Sequence, residues 1–156
     1  MNKTAIVSEK LKIAQWAQSL CTLSDERWFQ AFYEGSWGTA DVIAHFIVWD
    51  RFMMEQRIAY LLRDELLPQH PIDVQTMNQQ ASQYARSGIS KGDLIETFLS
   101  IRQALVSQIE AVPDEKFPLP LPGKPSLTLA AYLESMIQHD LKHQEQIDQF
   151  LQMSKD

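Results

Sequence analysis

The chain has 156 residues, 45% of them hydrophobic and 22% charged, enough for one globular domain across residues 1–156 with a core of its own. A formal net charge of −6 argues against nucleic-acid binding through phosphates and against attraction to an anionic membrane, since both need a basic surface. The single cysteine, Cys21, excludes an intrachain disulfide and suits a reducing compartment.

The first twenty residues interleave charges with apolar side chains, and no later segment approaches the roughly 20 apolar residues that span a bilayer. A cytoplasmic protein is expected. Helical periodicity then recurs along the chain. Ile6, Ile13, Trp16, Leu20 and Leu23 share one face of a first helix, with Cys21 at the end of that apolar stripe. A second helix begins near Thr39 and carries Val42, Phe46, Trp49, Phe52 and Met53. Prolines in "LLPQHPID" break it, and residues from about Asp73 to Arg86 suit a short extra helix. "SKGD" (90–93) is an N-cap with an acidic residue three places on, opening a third helix with Leu94, Phe98, Ile101, Leu105, Ile109 and Val112. "FPLPLPGKP" (117–125) reads as a proline-rich connector, and no run of alternating strands is evident. The last helix places Leu129, Tyr132, Met136, His139, His143, Gln146 and Phe150 on one seam. Four long helices with a longer crossover between the second and third predict an all-α fold, a four-helix bundle.

Two of the four histidines, His139 and His143, fall on that seam four residues apart, a spacing that brings two imidazoles about 5–6 Å apart at Cβ. His45 lies on the inward stripe of the second helix with Val42, Trp49 and Phe52. Imidazoles on buried faces need hydrogen bonds or coordination to offset lost solvation. Two readings therefore stand: a metal site built from His45, His139 and His143, or a structural polar network. His70, between prolines in "PQHP", belongs to a loop and not to this set. Three imidazoles without a fourth strong ligand describe an open site of catalytic type. Asp41, one turn before His45, either accepts its second ring N–H or complements the helix N-terminus. Asp140, Gln144 and Glu145 read as solvated. Gln146 suits either the site or a plain interhelical hydrogen bond.

"SWGTADVIAHF" (36–46), followed by "HDLKHQEQI" (139–147), resembles the DinB-like superfamily, which includes bacterial thiol-dependent S-transferases. Members typically show a Trp, an acidic residue four places on and a histidine eight places on, here Trp37, Asp41 and His45. A later His-x-x-x-His followed by glutamine corresponds to His139, His143 and Gln146. The resemblance covers nearly the whole chain and matches the helix order and the long crossover. It implies a DinB-like four-helix bundle and a divalent metal, zinc or nickel foremost and iron or manganese as alternatives, held by His45, His139 and His143. It also implies frequent homodimers, in keeping with the many large aromatics between Trp16 and Phe52; alternatively "RWFQAFY" folds back and closes one end of the bundle. Gly38 stands where Ser or Thr commonly caps the second helix, so Thr39 is expected to take over.

The function implied is a metal-dependent transferase that activates a low-molecular-weight thiol toward an electrophilic small molecule, with Cys21 a buried bystander. A metal-dependent hydrolase is the alternative at the same site, with Asp41, Asp50 or Glu34 as the carboxylates nearest to serving as a base. A third reading is a non-catalytic stress protein that binds a metal or small ligand. Substrate contacts are expected from loops 30–38, 63–89 and 117–126.

Overall fold

The computed structural model describes residues 1–153. Helix α1 (Lys3–Gln18) opens on Asn2, whose side chain accepts from the Ala5 N–H, and it ends in a 3₁₀ turn over Ser19–Thr22. A five-residue helix, α2 (Asp25–Phe29), is capped by Ser24 and drives Trp28 into the core, where it is 0% exposed. Helix α3 (Thr39–Met53) runs through a π turn (Met54–Ile58) into α4 (Ala59–Leu62). The crossover carries α5 (Val74–Ala85), capped by Asp73. Helix α6 (Lys91–Ala111) opens on Ser90, whose hydroxyl accepts from the Asp93 N–H. Last comes α7 (Leu129–Met153).

The long helices α1, α3, α6 and α7 form the bundle, with α1 against α6 and α7, and α3 against α6. The crossover helix α5 packs along α3. That cover explains why every residue from Thr39 to Ile47 is buried: this half of α3 has the core on one side and α5 on the other. Most of the early aromatics are absorbed in the same way. Trp16, Phe29, Phe32 and Trp37 pack against the core cluster, while Tyr33 alone of that group stays largely exposed at 70%.

The start of α3 departs from expectation. Gly38, not Thr39, is the N-cap, and a Cβ on it would lie 2.4 Å from the Gln30 carbonyl oxygen. Only glycine permits that approach, which lets the preceding loop close through the Ala31–Gly38 bridge. Thr39 becomes the first helical residue and its buried hydroxyl has no partner. The cap is made from inside the helix: Asp41 accepts from the Gly38 N–H at 2.8 Å.

The connector before α7 also differs. Residues Pro120–Leu121 (β1) and Lys124–Thr128 (β2) form a small antiparallel hairpin, paired Pro120 to Thr128 and Leu121 to Lys124. Its turn holds Gly123 at φ +82°, a conformation glycine adopts freely. Two-stranded ribbons have only edges, so their prolines cost no essential ladder bond, which is why a proline-rich segment could still pair.

The seam of α7 is displaced by one position from the expected one. Leu129, Leu133, Ile137, Asp140 and Ile147 are buried, whereas His139 and Gln146 are exposed and His143 is half-buried. The Tyr132–Met136–His139–His143 stripe lies on the flank of the interior stripe. Asp140, expected to be solvated, is an interior residue at 6% exposure.

Candidate metal centre

Asp140 meets three charged residues from the other bundle helices. Arg102 (α6) donates Nε and Nη2 to the two Asp50 (α3) oxygens at 2.6 and 3.0 Å, and Nη1 to Asp140 Oδ2 at 3.0 Å. Lys10 (α1) donates Nζ to the same Asp140 Oδ2 at 3.1 Å. Two cations and two anions, one from each long helix, thus balance inside the bundle and divide its apolar core into two clusters. Burial pushes the Asp140 carboxyl pKa up, but Arg102 and Lys10 outweigh it and hold the group below its ordinary value. Burial and the Arg102 guanidinium lower the Lys10 ammonium pKa against the pull of both carboxylates.

Above this layer the three histidines converge. His45 from α3 and His139 and His143 from α7 bring one ring nitrogen each to within 4.8 Å of one another, an arrangement that could hold a metal ion. The His45 and His143 ring centroids are 4.9 Å apart. Burial first, and then His143, depress the His45 pKa to about 4. Burial also depresses that of His143. Both imidazoles are therefore neutral at pH 7, the form a metal requires.

The tautomer of His45 follows from its partner. Asn78 on α5 meets the Trp49 indole N–H and His45 Nδ1 through the same oxygen, each at 3.0 Å. The indole can only donate, so that atom is an acceptor and His45 Nδ1 must carry the ring proton. Its Nε2 keeps the free lone pair. An amide oxygen fixing the far nitrogen of a histidine is the outer support that metal-binding imidazoles need. Asn78 was not legible in the sequence; one polar residue in "VQTMNQQASQ" carries no spacing signal.

Asn78, not Asp41, is the partner of the His45 Nδ1 N–H. Asp41 accepts from Arg86 Nη2 at 2.6 Å and Nε at 3.0 Å, and from the Ser82 hydroxyl at 2.6 Å. Burial raises its pKa, but Arg86, the Gly38 N–H and Ser82 together lower it. It pins the crossover to α3 and caps that helix, so the N-terminal reading holds and the His45 reading does not. Gln146 reaches His143 Nδ1 only at 3.4 Å, a long contact. His70 is exposed in its loop, outside the cluster.

The three histidines face a cavity of about 230 Å³. Phe46, Trp49, Met53 and Met136 form its apolar walls, Val74 of α5 stands at the edge, and Lys10, Asp50 and Asp140 form its polar end. On the other side of His143 lies an open groove bordered by Phe32, Tyr33 and Phe150. Of the loops expected to contact substrate, 117–126 supplies no residue to the cavity that the histidines face, while the crossover does so through its helix. Cys21 is exposed rather than buried and lines neither recess: the apolar stripe continues from Leu20 to Leu23 and leaves Cys21 beside it. Glu34 is exposed in the loop before α3. No helix among the described residues is long and apolar enough to cross a membrane.

Residues 12–147 match the family model of the DinB superfamily, most of the chain, and the protein belongs to that superfamily. Neither the curated proteins nor the solved structures give a match.

Proposed function

We propose that this DinB protein is a divalent-metal-dependent transferase that activates a low-molecular-weight thiol toward a small electrophile. The observation that carries the reading is the convergence of three imidazoles, from two helices, on one wall of a largely apolar cavity. His45, His139 and His143 would hold the ion, and an all-imidazole set suits zinc, nickel or iron better than magnesium or calcium. Bound there, a divalent ion supplies Lewis-acid charge, which lowers the pKa of a thiol and leaves it nucleophilic near neutrality. Asn78 keeps the His45 lone pair turned away from its own contact, and Trp37, tilted against the His45 ring at 5.2 Å, restricts that ring further. The walls of Phe46, Trp49, Met53 and Met136 exclude water from the reacting groups and favour an apolar electrophile.

Hydrolysis at the same site finds less support. A water-activating base should have a pKa near the working pH. Asp41 and Asp50 are both engaged by arginines, and Asp140 is held below its ordinary range. The superfamily resemblance also favours a homodimer, which light scattering would report as a mass near twice the 18.0 kDa of one chain.

Elemental analysis of the purified protein tests the metal: about one divalent ion per chain is expected, with a sharp loss on alanine substitution of His45, His139 or His143. Occupancy unchanged in the triple variant would exclude the site. A screen of thiols against epoxides on metal-loaded protein then tests turnover. Ester or amide hydrolysis without thiol transfer would favour the hydrolase, and stoichiometric binding without turnover the non-catalytic module.

A further inference from the structure

We infer that Lys10 and Asp140 form a ligand-binding pair at the polar end of the cavity, receiving the hydroxyl or amide group of a small, otherwise apolar molecule. Lys10 is 1% exposed, yet its ammonium, which has three N–H donors, makes a single hydrogen bond, to Asp140 Oδ2. Both hydrogen bonds to the Asp140 carboxylate fall on Oδ2, from Lys10 and Arg102, and none on Oδ1. Asp50, by contrast, already has an Arg102 hydrogen bond on each of its two oxygens. Lys10 and Asp140 both line the cavity, so ammonium donors and a carboxylate oxygen without a protein partner stand side by side there, open to a ligand. Buried polar groups find partners, and a charged group left short of them carries a large desolvation cost. A hydroxyl or a primary amide is the compact group that accepts from Lys10 while donating to Asp140.

The rest of the ligand is set by the walls. About 230 Å³ is below the roughly 300–1,000 Å³ of sites for drug-sized molecules, so the ligand is small. Phe46, Trp49, Met53 and Met136 offer it apolar and polarisable surface. The inference rests on the proposed function only in taking this ligand to be the molecule acted on. Its test is one of binding and does not require turnover.

Benzyl alcohol and ethylbenzene, close in size and differing in the hydroxyl, serve as probes. Binding is read from the methyl signals of Met53 and Met136 in methionine-labelled protein, with and without a chelator. In Lys10→Met the alcohol should lose about tenfold in affinity, the scale of one charge-assisted hydrogen bond, while ethylbenzene changes less than twofold. The difference should persist with chelator, which separates it from any contact with a metal. Equal changes for both probes in folded Lys10→Met would overturn the inference, as would a difference that vanishes with chelator. Should that variant not fold, a crystal of the wild type soaked in benzyl alcohol decides. Its oxygen is expected within hydrogen-bond distance of Lys10 Nζ and Asp140 Oδ1; an oxygen turned away from both overturns the assignment.

Discussion

Arg102→Met removes the centre of the charged layer that joins the four long helices. Arg102 is 0% exposed and donates to Asp50, to Asp140 and to the Lys10 carbonyl. Methionine keeps most of the volume packed between Phe46 and Phe98, so the perturbation is mainly electrostatic. Two buried carboxylates are left facing one ammonium. Removing one partner of a buried ion pair costs about 3–5 kcal/mol, a large share of the ~5–15 kcal/mol that holds a domain together. With a urea slope of about 1–3 kcal/mol per molar, the unfolding midpoint should fall by roughly 2 M.

The pH dependence has a definite sign. In the wild type the depressed Asp140 pKa contributes stability that is present above the unfolded carboxylate value of 3.8 and lost as pH falls through the lower folded value. In Arg102→Met the chief opponent of burial is gone, so a carboxyl of the layer takes up a proton more readily in the folded state. The deficit should therefore be greatest at pH 7 and shrink toward pH 4.5. Arg102→Met/Asp50→Leu restores charge balance, and Leu has cavity space beside it, so the double variant should regain at least about 2 kcal/mol. Urea titrations at the two pH values decide the matter. A single-variant loss under about 1 kcal/mol at pH 7, or equal losses in single and double variants, would refute the reasoning.

Two further outcomes concern the histidines. Asn78→Ala should weaken metal affinity about 10–100-fold without unfolding the chain, as measured by competition with a chromophoric chelator; unchanged affinity would remove Asn78 from the site. In chelated protein, stability should decline as pH falls from 6.5 toward about 4, because the unfolded chain protonates His45 first. The loss is on the order of 2–3 kcal/mol, and a urea profile in His45→Gln as steep as the wild type's would contradict it.

Periodicity and caps made the helices legible. Asp73 and Ser90 carry side chains that cap the next turn, and the helices begin where those residues stand. The cap of α3 was not legible, because a glycine chosen for a close approach to Gln30 looks the same in sequence as one chosen for flexibility. The three histidines are legible as a set, but two of them stand elsewhere on their helix than hydropathy predicts. His139 and His143 do not occupy the interior stripe of α7; they flank it, and they reach His45 from the edge of the cavity.

The displaced seam has one cause, and the same cause hides the polar end of the cavity. Hydropathy rejects the true stripe of α7 because Asp140 interrupts Leu133, Ile137 and Ile147, so the neighbouring stripe through Met136 and the histidines looks like the better interior. Taken helix by helix, that choice is reasonable. Taken together, the four helices repeat the interruption: Lys10 between Ile6 and Ile13, Asp50 between Phe46 and Met53, Arg102 between Phe98 and Leu105, and Asp140 between Ile137 and Ile147. Two positive and two negative charges, each within an apolar stripe, are a signal that no single helix carries, and they predict a neutralised layer within the bundle. The shift of one residue then has a functional consequence. It leaves His139 exposed and His143 half-buried, so the histidines stay open to solvent, while it turns Asp140 inward to meet Lys10 in the lining of the same cavity.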